Sequence, residues 1–133
     1  MNIKKLVVFA ISAAPLLAHA ADAPVSKQFG TCMDRSGGVT AEMLNCIATE
    51  TGAQDKALNA NYTLLMRRIT VPRRSVLQAA QREWIKYRDA NCSFYADPDG
   101  GTSANVDAAS CVMQMTADRA KELGDLATQA AAR

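Results

Sequence analysis

Histidine is almost missing from this chain, and the single one, His19, falls in a leading segment that reads as removed on export. Without an imidazole there is no Ser-His or Cys-His nucleophile and no histidine-rich metal site. Aromatic residues are scarce at 5%, and past the first twenty residues no apolar run is long enough to span a bilayer. No stretch alternates β-branched residues in the manner of a strand, no segment repeats, and no C-x-x-C pair offers half of a zinc site. An excess of charge is lacking too. Loss of Lys4 and Lys5 with the leading segment takes fifteen basic residues to thirteen, against thirteen acidic ones. A neutral chain lacks the basic surplus that neutralises phosphates, so nucleic acid is not expected as a partner. Neither an enzyme activity nor a cofactor is expected.

What is present places the protein. Residues 1–20 have the form of a secretory signal: Lys4 and Lys5, an apolar stretch from Leu6 to Leu17, and the small-x-small triplet Ala18-His19-Ala20. Cleavage after Ala20 would leave one domain, residues 21–133, in the periplasm or secreted. No cysteine stands at the cleavage point after the apolar stretch, so a lipid anchor is not expected. The whole chain is 49% hydrophobic and 21% charged, which suits a folded domain and excludes a disordered tail.

All four cysteines, Cys32, Cys46, Cys92 and Cys111, lie in the exported part. An even count in an oxidising compartment reads as two disulfides. Three pairings are possible, and sequence order does not strictly choose among them. The local pair, Cys32–Cys46 and Cys92–Cys111, is favoured because each bridge closes one stretch between neighbouring elements. Loops of that length contribute roughly 3 kcal/mol each on a chain-entropy estimate.

Past Gly38 the apolar periodicity is helical. Thr40 is a natural N-cap, and Leu44, Ile47, Ala48, Thr51, Leu58, Tyr62, Leu65, Met66 and Ile69 follow at helical spacing. Gly52 interrupts the run at a cost of only about 1 kcal/mol, so one long helix is expected. Pro72 ends it and suits the first turn of a second helix, whose stripe is Leu77, Ala80, Trp84, Tyr87, Asn91 and Tyr95. After the break Asp97-Pro98-Asp99-Gly100-Gly101, a third helix opens near Ser103 or Asn105 and carries Ala109, Val112, Met113, Thr116, Ala120, Leu123 and Ala127. The expected fold is all-α: a small antiparallel three-helix bundle with a short N-terminal segment, stapled by two disulfides.

Some polar residues fall on the apolar stripes. At 100° per residue, Asp55 lies within about 20° of Tyr62, and Arg88 about 40° from Trp84, while Arg119 flanks the third stripe. A buried charge needs a partner. Asp55, Arg88 and Arg119 are therefore expected to form an internal ion-pair network that serves the fold.

The motifs Asp55-x-x-Leu58-Asn59-x-x-Tyr62, Gln81-Arg82-x-Trp84-Ile85-x-x-Arg88-Asp89-x-x-Cys92, Gly100-Gly101-Thr102, Cys111 and Thr116-x-x-Arg119-x-x-x-Leu123 resemble the lysozyme-inhibitor LprI N-terminal family. The likeness runs from about Cys32 to Leu126, and Asn59, Tyr62, Gln81, Trp84 and Asp89 belong to its pattern. The resemblance implies a small exported helical protein with paired cysteines whose partner is a protein, a lysozyme. The alternative is a non-enzymatic interaction or structural module of the envelope without a lysozyme target.

Lysozyme cleaves glycosidic bonds with two carboxylates in a cleft, and an inhibitor need only occlude that cleft. Two segments are candidates for partner binding. The first, Asp97 to Asp107, is read as a Gly/Ser/Thr loop held at its base by Cys92–Cys111, with Asp97, Asp99, Gly101, Thr102 and Ser103 at its head. The second is Arg35-Ser36-Gly37-Gly38, with a guanidinium and a hydroxyl beside Cys32. Asp97-x-Asp99-Gly100-Gly101 lacks the glycine and glutamate spacing of a calcium loop, so no metal is expected. The basic turn Arg67-Arg68-x-x-x-Pro72-Arg73-Arg74 is either a solvated helix junction or a contact for anionic lipid or polymer.

Overall fold

The computed structural model describes residues 25–133, so the signal segment lies outside the described residues. Four helices follow one another: α1 (Lys27–Arg35), α2 (Thr40–Arg68), α3 (Val71–Ser93) and α4 (Gly101–Ala131). Among the described residues there is no strand. The expected three-helix bundle thus has a fourth helix, since the N-terminal segment from Val25 to Gly38, open between a short helix and a loop in the sequence, is helical over Lys27–Arg35. Ser26 explains why. Its backbone is extended, and its Oγ accepts the N–H of Phe29, which satisfies one orphan donor of the first turn.

The long helix α2 runs unbroken through Gly52, as its periodicity requires. It opens one residue earlier than the expected cap: Val39 occupies the cap position and Thr40 is already helical. At its other end Ile69 and Thr70 are extended, and Pro72 sits in the first turn of α3, where its missing N–H costs nothing. Two residues thus reverse the chain. A seven-residue connection, 94–100, reverses it again before α4. Gly101, Thr102 and Ser103 form the first turn of α4 and not part of a loop, a correction to the expected start near Ser103 or Asn105.

The path is up, down, up, so α3 runs against both of its neighbours while α2 and α4 run parallel. Two bonds show that register directly. The Asn61 amide donates to the Ala120 carbonyl at 2.8 Å, and Arg68 Nη1 donates to the Ala127 carbonyl at 2.7 Å, each 59 positions on. This parallel pair is the core. Leu58, Leu65 and Ile69 of the first strip meet Ala120, Leu123 and Ala127 of the second. Small side chains on α4 let the two helices approach closely, and Gly124 is part of that fit. A Cβ there would stand 2.9 Å from the Asn61 amide nitrogen, in the way of its bond to Ala120.

By contrast, α2 and α3 hardly pack on one another although only two residues join them. The face that α3 turns inward is centred between Trp84 and Arg88, on Leu77, Gln81, Asn91 and Cys92. Tyr87 lies about 90° away from that centre at 100° per residue, and it is exposed, as is Tyr95 beyond the helix end. The inward face is thus rotated from the expected stripe, because Gln81, Arg88 and Asn91 find partners on α4 while the Tyr87 ring does not turn inward.

Both bridges are the local ones: Cys32–Cys46 joins α1 to α2, and Cys92–Cys111 joins α3 to α4. Among the described residues no buried side-chain nitrogen or oxygen is left without a hydrogen bond.

Candidate functional site

Three places hold the residues singled out from the sequence. The first lies between α3 and α4 around Trp84. Arg88 and Arg119 both approach the indole, with guanidinium carbons 5.3 and 5.8 Å from its ring centre. Arg88 donates to Asp89 through Nε and Nη2, at 2.9 and 2.8 Å, and makes a longer contact to Thr116 Oγ1. Arg119 donates from Nε to Gln81 Oε1 at 3.0 Å and from Nη1 to Glu122 at 2.7 Å. The two arginine side chains retain 18% and 11% exposure, whereas Asp89 and Glu122 are open to water. Each cation is therefore half-buried and met at the surface by a neighbour on its own helix.

Asp55 takes no part in this. It is exposed on α2, and its carboxylate accepts the amide of Asn59, one turn on, at 3.1 Å. The expected ion pair between Asp55 and Arg88 or Arg119 is thus corrected. The wheel placed Asp55 near Tyr62, but the side of α2 that Tyr62 edges faces a groove and not a packed helix. That groove, about 490 Å³, runs between α2 and α3 and collects the motif residues Asp55, Asn59, Tyr62, Gln81, Trp84 and Arg88 along its walls. Residues from two separated motifs are brought together without being buried.

A family model described as lysozyme inhibitor LprI matches residues 32–123. The chain belongs to the LprI family. No curated protein and no solved structure matches it. The LprI match opens at Cys32 and closes at Leu123, so it takes in both disulfides, the Trp84 cluster, the α2–α3 groove and the whole of the α3–α4 connection.

That connection is the second place. Cys92 and Cys111, with Cα atoms 5.4 Å apart, clamp the two helices directly beneath it. Above the clamp Phe94 is 83% exposed and stands edge-on to Tyr95, ring centres 5.8 Å apart. Asp97 then closes a tight turn: its Oδ1 accepts the N–H of Asp99 at 2.9 Å and its carbonyl accepts that of Gly100 at 3.0 Å. Gly100 is required here, because a Cβ would fall 2.8 Å from that of Ala104. Gly101 has φ +64°. Asp97, Asp99, Gly101, Thr102 and Ser103 are all exposed, on a turn and a helix start in place of the expected long loop. The exposed aromatic pair is not evident in the sequence, where Tyr95 falls on the α3 stripe and Phe94 on no stripe.

The third place is the α1–α2 junction. Arg35 is exposed, but Ser36 is buried and unavailable to a partner. Its hydroxyl donates to the Met33 carbonyl at 2.7 Å and accepts weakly from Gly38 N–H, which shapes the turn through Gly37 and Gly38 at φ +56° and +79°. The same junction hides a carboxylate. Glu50 is only 4% exposed and accepts from Ser26 N–H, Ser26 Oγ and the Gln54 amide at 2.8, 2.6 and 2.8 Å. Burial pushes its carboxyl up, but the Ser26 hydroxyl, the Gln54 amide and the Ser26 N–H outweigh this and hold it below the ordinary value of 4.5. Ser26 thereby caps α1 and ties it to α2 with one side chain. A signal for this did exist: Glu50 is one turn after Cys46, on the face that a bridge to Cys32 must cover.

Proposed function

We propose that this LprI-family protein is exported, with its leader removed near Ala20, and that it is a non-enzymatic inhibitor which occludes the cleft of a peptidoglycan-cleaving muramidase. The observation that carries this reading is the α3–α4 tip. A protrusion clamped covalently at its base loses little entropy on docking, and exposed aromatic side chains at its end are the anchors that interfaces favour. Phe94 and Tyr95 enter the cleft, while Asp97 and Asp99 meet the basic surface of a cationic lysozyme around it. Thr102 and Ser103 supply hydroxyls from the first turn of α4. Arg35, on the α1–α2 junction, belongs to a separate and smaller candidate surface.

Lysis of a peptidoglycan suspension by lysozyme tests the proposal. Addition of the protein at micromolar concentration should slow lysis, and Phe94→Ser should weaken inhibition at least tenfold with an unchanged melting temperature. No inhibition of any muramidase would instead favour the envelope interaction module, a reading supported by the exposed Val76, Ile85 and Tyr87 of α3.

A further inference from the structure

At the end of the bundle opposite the tip, the last turn of α2, the first turns of α3 and the last turns of α4 enclose a second groove, of about 590 Å³. Its floor is apolar: Leu65 and Ile69 are buried, Leu77 is half-buried, and Leu126 and Val76 stand at the edge. Arg68, Arg73, Arg119 and Arg133 line it as well, and no aspartate or glutamate does. Glu122 answers Arg119, but among the described residues Arg68, Arg73 and Arg133 form no ion pair. Helix energetics account for part of this charge, since Arg68 lies at the C-terminal end of α2 and bonds a carbonyl of α4. They do not account for Arg73. It sits in the first turn of α3, where a cation opposes the helix dipole and where no acidic residue offsets it.

We propose that this groove binds one long-chain fatty acid, its carboxylate held by Arg73 and Arg68 and its chain laid over Leu65, Ile69 and Leu77. The volume falls within the roughly 300–1,000 Å³ of small-ligand sites. Guanidinium groups match a carboxylate fork to fork, and an apolar floor with arginines on its rim complements an amphiphile that carries one negative end. A concave groove takes a single chain out of water, whereas a bilayer presents a flat surface. An amphipathic helix, about 10 Å across, needs a trough several turns long, and this groove is confined to the bundle end.

Calorimetric titration of the full chain with dodecanoate, below its micelle concentration, tests the proposal. One dodecanoate should bind per chain, and dodecyltrimethylammonium should not bind. Arg73→Ala should weaken binding about tenfold, the usual worth of one charge-assisted contact. Val76→Asp, at a position 69% exposed, should weaken it similarly without changing the melting curve. Equal binding of the cationic amphiphile, or an unchanged constant in both variants, would overturn the assignment. So would attachment to vesicles of anionic phospholipid without saturable uptake of free dodecanoate, which would make this end a membrane contact.

Discussion

The helices α2 and α4 are held by packing, whereas α3 is held by chemistry. Along the parallel pair, side chains of modest size interlock so tightly that Leu123 and Ala127 have no exposed surface. Along α3 the only buried residue is Cys92, and Val71, Val76, Ile85 and Tyr87 face water. A disulfide, one indole with two guanidiniums and a few hydrogen bonds keep α3 in place, with only the partly buried Leu77 and Trp84 packed on the core. The division matters for function. The tip at 94–100 stands outside the α2–α4 seam that supplies most of the burial, so its surface is free to differ without unfolding the domain.

If that comparison is right, the largest loss of stability comes from the α2–α4 seam. Leu123→Ala should cost about 4 kcal/mol, as truncations in a close-packed core do, because the parallel helices cannot close over the gap. Denaturant unfolding followed by circular dichroism would measure it. A loss under about 1 kcal/mol would mean that the seam is less tightly packed than Leu123 indicates.

The second effect breaks α3 instead. Replacing Cys92 and Cys111 together by serine should cost roughly 3 kcal/mol through the unfolded chain, whose loop is no longer closed. It should also free the tip, so that hydrogen exchange across 94–100 accelerates more than exchange in α2. Equal acceleration in both would erase the distinction between the two regions.

Much of this division was legible in the sequence. Three of the four helices follow from apolar spacing, Pro72 marks one reversal and the Asp97–Gly101 break the other, and local closure favours the two bridges that are found. The segment before Gly38 is the least determined by the sequence, reading as a short helix or a loop tied down through Cys32, because α1 is short and has no fully buried residue of its own. The start of α4 was misplaced because Gly101 and Thr102 look like loop residues, yet the turn closed by Asp97 and Gly100 leads directly into the helix. Site residues were harder for one reason. Helical-wheel positions say which side of a helix a residue is on, but not whether another helix lies there. Asp55 was expected inside, yet it faces a groove; Glu50 was not singled out, yet it is covered by α1.

Glu50 gives the third prediction, at the junction of α1 with the packed pair. Its carboxyl is held below the ordinary value in the folded state, so ionised Glu50 stabilises the docking of α1 above that value. The contribution should fade as pH falls from about 4.5 through the lower folded-state value, and it should be complete at neutral pH. Glu50→Gln should lower stability by roughly 1–2 kcal/mol at neutral pH, since an amide cannot accept all three donors, and should flatten this part of the pH profile. Urea midpoints between pH 3 and pH 7 for both proteins decide it, these being roughly the limits that bracket an ordinary glutamate. An acid loss of the same size in both proteins would assign the pH dependence to other carboxylates.

The smallest expected effect concerns Asp55, and it is the sharpest probe of the line between packing and surface. An inward Asp55 paired with an arginine would make Asp55→Ala cost about 3 kcal/mol or more, by stranding a buried cation. The structure leads to a different value. Asp55 is exposed and accepts only the Asn59 amide, while Arg88 and Arg119 have their own carboxylates in Asp89 and Glu122. Asp55→Ala should therefore change stability by no more than about 0.5 kcal/mol, the usual range for a surface substitution. Arg88→Ala should cost more, because it removes contacts to Trp84 and Thr116 as well as to Asp89. In a double-mutant cycle the two changes should add, as independent sites do. A coupling above about 0.5 kcal/mol between Asp55 and Arg88 would show that α2 and α3 close over the groove in solution, and would return Asp55 to the interior.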